Sequence, residues 1–215
     1  MVAVRGRFEL LEKNKPQQER AKRTYEAILY AAAELLVEVG VERISTNIIA
    51  QKAGITVPAL YRYFPNKYAV LSALGASCMD KQNAVFQFWL DQYSGQSSPE
   101  LLLGDFYSLL SQTYDVTQGQ VSGLQVVQAL RAVAPLRDVR LASRRLISSR
   151  FATVIAELLG RKVDERLITR ARLSIDSAFT IVEMAMEEPS VPTESLLREG
   201  ARMIQLYWQD VLYAE

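Results

Sequence analysis

Helical periodicity constrains the fold of this 215-residue chain more than any other feature, because apolar residues recur at steps of three and four along most of it. Between Gln17 and Val39, one such face is formed by Tyr25, Ile28, Leu29, Ala32, Leu35, Leu36 and Val39. No strand-like alternation rivals this period, and no internal repeat is found. The sequence therefore predicts an all-α protein of about nine helices.

Helix boundaries are marked by glycine, proline and capping residues. Long helices are predicted from Gln17 to Gly40, Asn66 to Tyr93, Glu100 to Val116, Val121 to Ala134, Leu136 to Leu159, Asp164 to Glu187 and Thr193 to Tyr213. Asn66, Ser98 and Asp164 are predicted N-caps, since each has a short polar side chain at the start of a helical pattern.

Two short helices are predicted between Ile44 and Lys67, in the stretch ISTNIIAQKAGITVPALYRYFPNK. Ser45 and Thr56 can cap them, and Gly54 can leave the first helix. Their shared apolar face is formed by Ile49, Ala50, Ala53, Leu60 and Phe64. The residues of the second helix that lie away from this face are Val57, Pro58, Tyr61 and Arg62. This pattern is typical of a helix-turn-helix that places its second helix in a DNA major groove.

Composition excludes most catalytic chemistry. The chain has no histidine and a single cysteine, so neither a zinc site nor a catalytic triad can be proposed. No glycine-rich phosphate loop is present. The sequence therefore predicts no catalytic residue, metal or cofactor, and the protein is not expected to be an enzyme. An enzyme that uses carboxylates alone remains an alternative.

The expected location is the cytoplasm, without a membrane span. No run of about 18 apolar residues occurs, and the N-terminus lacks an apolar signal core. Cys78 cannot form an internal disulfide, and it is interpreted as a small buried side chain, with redox sensing as the alternative.

Basic charge is concentrated towards the N-terminus. Residues 1–71 contain 11 Lys and Arg against 7 Asp and Glu, whereas residues 72–215 contain 14 against 17. Residues 1–18 are predicted to be a flexible basic arm, which is either a solvated tail or a segment that contacts DNA. Five arginines between 136 and 159 are interpreted as a solvated face paired with acidic residues of the C-terminal part, with a second nucleic-acid surface as the alternative. They are Arg137, Arg140, Arg144, Arg145 and Arg150.

The pattern A-x-x-A-G-I-T-x-P-A-L-Y-R-Y-F-x-N-K, from Ala50 to Lys67, closely resembles the DNA-binding signature of the tetracycline-repressor (TetR) family of transcriptional regulators. The resemblance implies a three-helix DNA-binding domain at residues 19–68 and an effector-binding and dimerisation domain at 69–215. It further implies a homodimeric repressor that binds double-stranded, pseudo-palindromic operator DNA and is released by a small-molecule effector. A DNA-binding repressor without an effector is the alternative.

The resemblance also assigns DNA contacts by position. The residues expected to hold phosphates are Ser45, Thr46, Tyr61 and Lys67. Those expected to face base edges are Asn47, Val57, Pro58, Arg62 and Tyr63. These side chains suit the roles, since arginine can bond guanine and apolar groups can pack on thymine methyls. For Tyr63, packing beside Phe64 is an equal alternative.

For residues 69–215, the resemblance implies an apolar or aromatic effector. The aromatic and apolar residues on the helices that line the family's cavity are Phe86, Trp89, Phe106, Tyr107, Tyr114, Phe179 and Met184. Core packing is the alternative role for each. The last two helices are the predicted dimer interface. Its candidate residues are Ser174, Ser177, Ala178, Ala185, Leu197, Ala201, Ile204, Trp208 and Val211, which can equally face the protein's own core.

Overall fold

The computed structural model describes residues 18–93, 95 and 98–212. The predicted arm lies almost wholly outside them. The described residues are predominantly helical and contain no strand, which confirms the all-α fold class. In chain order the helices are α1 (Glu19–Glu38), α2 (Gly40–Arg43), α3 (Thr46–Lys52), α4 (Val57–Tyr61), α5 (Lys67–Asp91), α6 (Pro99–Gly104), α7 (Phe106–Gln118), α8 (Gly123–Ala132), a 3-10 helix (Ala134–Leu136), α9 (Arg137–Leu158), α10 (Glu165–Glu187), α11 (Thr193–Tyr207) and α12 (Gln209–Leu212).

The described helices outnumber the nine expected, because local breaks divide predicted segments. The segment predicted from Glu100 to Val116 is two helices, separated at Asp105, whose amide donates to the carbonyl of Leu102 at 3.2 Å. The first long helix ends at Glu38, and Gly40 (φ +73°) then begins α2. Such breaks depend on single hydrogen bonds and dihedral angles, which periodicity does not resolve.

Two of the three predicted caps outside the helix-turn-helix are confirmed. The side chains of Asn66 and Asp164 accept bonds from the amides three residues later, at 3.0 and 2.6 Å. Ser98 occupies the predicted N-cap position of α6, but its hydroxyl does not accept from a helix amide and instead donates to the Glu100 carboxylate at 2.7 Å. The nearby carboxylate offers this hydroxyl a charged acceptor.

The described chain forms two compact units. The first contains the residues up to Met79 together with Gln120–Arg140. Its core is built from α1, α3, α4, the first part of α5 and α8. Gly75 allows a close helix approach here, since a Cβ at this position would lie 2.5 Å from Leu130 Cδ2.

The second unit contains Asp80–Gly119 and the residues after Arg140. Phe86, Trp89, Phe106, Phe151 and Trp208 form an aromatic cluster in its core, with ring centroids 5.3 to 6.4 Å apart. Helices α7, α10 and α11 pack closely on one another around this cluster. None of the described helices combines the length and the hydropathy needed to cross a membrane.

Candidate nucleic-acid interface

Helices α3 and α4 form the predicted helix-turn-helix, and both predicted caps are present. Ser45 Oγ accepts from the Ile48 amide at 3.4 Å, and Thr56 Oγ1 accepts from the Ala59 amide at 3.3 Å. Gly54 has φ +67° between the two helices, a conformation that favours glycine. Local chemistry therefore determines where each helix begins and where the chain turns.

The apolar side of the motif is anchored in the core of the first unit. Ile49, Ala50, Leu60 and Phe64 are fully buried, as their helical spacing predicts. The ring of Phe64 stacks on Tyr25 of α1 at 5.2 Å. This packing holds the opposite side of α4 outwards.

The outward side carries the predicted DNA contacts. Asn47, Pro58, Tyr61 and Arg62 are exposed. Ser45, Thr46, Val57, Tyr63 and Lys67 are half-buried. Tyr63 also meets the edge of the Tyr25 ring at 6.4 Å, so it takes part in packing.

A pair of hydroxyl groups connects the two helices. Thr46 Oγ1 and Tyr61 Oη lie 3.1 Å apart, at the start of α3 and the end of α4. Both residues are predicted phosphate contacts. Since they are 15 positions apart, their pairing carries no short-range sequence signal. The bond orients both hydroxyls on the same face of the motif.

Lys67, another predicted phosphate contact, lies against the backbone before α3. Its Nζ donates to the carbonyl of Ile44 at 3.0 Å and to that of Glu42 at 3.5 Å. An ammonium has three N–H donors, so one remains for another acceptor. The sequence offered no sign of this contact, because 23 residues separate Lys67 from Ile44.

Charge near the motif is partly neutralised. Lys52 of α3 forms ion pairs with Glu34, at 3.4 Å, and with Glu38 of α1. The hydrogen bond to Glu38 is the main reason that the pKa of Lys52 is raised above its usual value. By contrast, Arg20 and Arg23 of α1 line an open groove beside the turn of the motif. Glu19 lines the same groove, so the positive charge of the two arginines is partly offset there.

In the second unit, most of the predicted effector residues are core residues. Phe86, Trp89, Phe106 and Phe179 are buried. Tyr107 and Tyr114 are half-buried against the core, whereas Met184 is 49% exposed on α10.

A small apolar cavity lies beside two of these aromatics. It is lined by Phe86, Leu109, Leu110, Thr113, Ile175, Ala178, Phe179 and Val182. Its volume of about 10 Å³ is on the scale of a single water molecule. The cavity is therefore much smaller than the roughly 300–1,000 Å³ of a typical small-molecule site.

The interpretation of the five arginines as a solvated face is wrong for Arg144, although this residue does pair with an acidic side chain, as expected. Its guanidinium is buried, stacks 3.0 Å above the Phe179 ring and lies 3.7 Å from the Asp176 carboxylate. Arg144 shares its helical face with Ile147 and Phe151, so the helix carries it into the core. Arg137, Arg145 and Arg150 are exposed, and Arg140 is half-buried.

The residues proposed for a dimer interface lie mostly inside the protomer. Leu197, Ala201 and Ile204 of α11 and Trp208, which follows α11, are buried in the protomer's own core. Ser174, Ala178 and Ala185 of α10 are buried as well. The reason is that the apolar stripe of each helix packs against α7 and against the other helix. The large apolar residues that these helices expose are Ile168, Leu173, Met184, Met203, Leu206 and Tyr207.

Similarity to known proteins is concentrated in the first unit. The sequence model for the family described as bacterial regulatory proteins, tetR family, matches residues 28–74. The tetracycline repressor protein class C of Escherichia coli is 43% identical over 54 residues, which are 25% of each chain. The chain thus matches about a quarter of that relative's length.

Solved structures extend the similarity of the fold to most of the chain. SmeT, the repressor of the Stenotrophomonas maltophilia multidrug efflux pump SmeDEF, has a TM-score of 0.64 at 23% identity, over 88% of this chain and 91% of SmeT. A TetR-family transcriptional regulator from Streptomyces coelicolor has a TM-score of 0.54 at 23% identity, over 88% of this chain and 99% of that protein.

Proposed function

We propose that this chain, as a member of the tetR family of bacterial regulatory proteins, is a transcriptional repressor that binds a pseudo-palindromic operator as a homodimer. The observation that supports this proposal is the capped helix-turn-helix, whose inner side is anchored in a core and whose outer side exposes Asn47, Pro58, Tyr61 and Arg62. A helix held in this way can enter a major groove without a loss of its own packing.

The proposed contacts divide into two groups. Ser45, Thr46, Tyr61 and Lys67 bind phosphates and set the position of the motif on DNA. Asn47, Val57, Pro58, Arg62 and Tyr63 face base edges and read the sequence.

Replacement of Arg62 tests base reading. We expect Arg62→Ala to weaken binding to the specific site by about 1–3 kcal/mol and to relax the preference at one base pair. Arg161→Ala is the matched control, since Arg161 is an exposed arginine of the second unit. Equal affinities of both variants and the wild type for the selected operator would exclude this role of Arg62.

The operator can be found by selection of genomic DNA fragments with the purified protein. We expect enrichment of sites with two related half-sites, separated by about one helical turn or a multiple of it. Absence of any enriched sequence at moderate salt would overturn the proposal of a specific regulator.

The homodimer is proposed to form through the exposed apolar residues of α10 and α11. Such residues, gathered on two adjacent helices, suit an isologous interface in which the same surface of each copy is covered. Leu173→Glu should therefore convert the dimer to monomers in analytical ultracentrifugation. Leu101→Glu is the matched control, because Leu101 is similarly exposed on α6. An unchanged dimer in Leu173→Glu would exclude this interface.

Release by a small apolar or aromatic effector is the remaining part of the proposal. Phe86 and Phe179 line the existing cavity, so an effector that bound there would contact both rings. Repetition of the DNA selection with added metabolites tests this step. Loss of the enriched fragments with one compound identifies the effector.

A repressor without an effector is the second candidate, and the small volume of the cavity beside Phe86 and Phe179 supports it. The described cavity holds about one water molecule, and four of the seven predicted effector residues are buried in the core. DNA binding that no compound in a broad metabolite panel weakens would support this alternative.

A further inference from the structure

Lys67 lies where three helices meet in the first unit. It is the first residue of α5, and its ammonium reaches the end of α2 and the peptide that precedes α3. Carbonyl groups at the C-terminal end of a helix lack intrahelical donors and carry partial negative charge. The ammonium supplies both a donor and a compensating charge at this end.

The carbonyl of Ile44 belongs to the peptide bond whose nitrogen is that of Ser45. Ser45 caps α3, with its hydroxyl bonded to the Ile48 amide and its carbonyl to the Ile49 amide at 3.0 Å. A donor on the Ile44 carbonyl therefore fixes the plane of the peptide immediately before the cap. The position of the α3 N-terminus depends on this plane.

The other end of the contact is also held in place. Asn66 caps α5 through the amide of Ala69 at 3.0 Å, so the backbone at Lys67 is part of an ordered first turn. Ile44 itself is buried, at 1% exposure. Lys67 thus joins two backbone segments whose conformations are already fixed by other hydrogen bonds, namely the caps at Asn66 and Ser45.

We propose that Lys67 is a positioning residue for the DNA-binding surface. Its hydrogen bond links the first turn of α5 to the peptide before Ser45, so the position of the α3 N-terminus depends on the position of the α5 N-terminus. This role is separate from the proposed phosphate contact, which needs only the third donor of the ammonium. The inference concerns the same surface as the proposed function, but it is testable without DNA.

The test uses Lys67→Met, which retains an unbranched side chain and removes the donors and the charge. In the free protein, amide hydrogen exchange at Ile48 and Ile49 should become about ten- to hundredfold faster, because a hydrogen bond to a charged group is lost. Exchange in the core of α1 should remain unchanged. Lys22→Met is the matched control, since Lys22 is an exposed lysine of the same unit that pairs only with Glu19, at 3.0 Å, in the described chain.

Binding to a duplex of about 30 base pairs, measured across a range of salt concentrations, provides the second readout. We expect Lys67→Met to lose more affinity than a single lost charge explains, so the loss persists at high salt, where a phosphate contact contributes little. A general loss of folding would instead accelerate exchange throughout α1 and would overturn the proposal.

Unchanged exchange at Ile48 and Ile49, together with an affinity loss that disappears at high salt, would also overturn it, because phosphate contact would then be the whole role of Lys67. Failure of the wild type to bind any duplex would contradict the proposed function alone. The exchange measurement would still decide the positioning role in that case.

Discussion

Gly200→Ala tests how closely α10 and α11 pack. A Cβ at position 200 would lie 2.6 Å from Cγ2, 2.7 Å from Cδ1 and 3.0 Å from Cγ1 of Ile181. Carbon atoms at optimal separation are about 3.5–4.0 Å apart, so the shortfall is about 1 Å. Ile181 cannot rotate away easily, since a β-branched side chain in a helix has one strongly preferred χ1. The helices must therefore separate or the isoleucine must take a strained conformation.

Two opposing terms set the magnitude for Gly200→Ala. Overpacking of a core costs about 1–3 kcal/mol, whereas replacement of a helical glycine by alanine contributes about 0.8–1 kcal/mol of helix propensity. We therefore expect a net loss of about 0–2 kcal/mol in the free energy of unfolding. Gly104→Ala is the matched control, because the nearest atom to its Cβ would be Gln205 Nε2 at 3.9 Å. This variant should retain or increase stability.

Urea denaturation at equal protein concentration measures the difference between the two variants, since any dimer makes apparent stability depend on concentration. The double variant Gly200→Ala with Ile181→Ala should show a favourable coupling of about 1 kcal/mol or more, because the clashing atoms are gone. If Gly200→Ala is at least as stable as Gly104→Ala and the coupling is absent, the reasoning on this contact is refuted.

Three further predictions concern stability. Ser174→Ala should cost about 1–3 kcal/mol in denaturant unfolding, because the buried indole N–H of Trp208 loses its acceptor at 2.8 Å; a cost near zero would contradict this. Burial, followed by the hydrogen bond to Asp105, raises the pKa of Tyr93 from 10.0 to about 12. The neutral phenol is thus favoured in the folded state, and its contribution to stability is present below pH 10.0 and lost as the pH rises towards 12. Tyr93→Phe should remove this part of the alkaline loss in a pH series of thermal melts. Thr56→Ala should cost about 1 kcal/mol by loss of the α4 cap, and Thr56→Ser should restore it; equal melting temperatures of all three proteins would exclude the cap as a source of stability.

Short-range features of this protein were accessible from the sequence. The caps at Ser45, Thr56, Asn66 and Asp164 were predicted because a cap needs only a side chain and an amide three residues later. The glycine turn at Gly54 was predicted because glycine adopts a positive φ without steric cost, which is also a local property. Ser98 shows the limit, since it occupies the N-cap position but its hydroxyl bonds to a carboxylate two residues away and not to a helix amide.

Long-range pairings were not accessible. The hydroxyl pair of Thr46 and Tyr61 and the contact of Lys67 with the Ile44 carbonyl join residues 15 and 23 positions apart. Each residue was singled out by its place in a motif, but its partner depends on how α3, α4 and α5 pack. The sequence thus supplied the candidates, and the packing decided which atoms meet.

The second unit shows the same contrast between features set by local sequence and features set by tertiary packing. Periodicity predicted the helices that the structure describes at Glu165–Glu187 and Thr193–Tyr207, each with an apolar stripe, because the 3.6-residue repeat is a property of the chain itself. Tertiary packing decided that Leu197 and Trp208 face the protomer's own core, while Leu173 and Met203 face outwards. It also carried Arg144 into the interior. Both sides of these helices bear apolar residues, so composition alone does not distinguish a core face from an exposed one. That choice depends on which neighbouring helix covers each face.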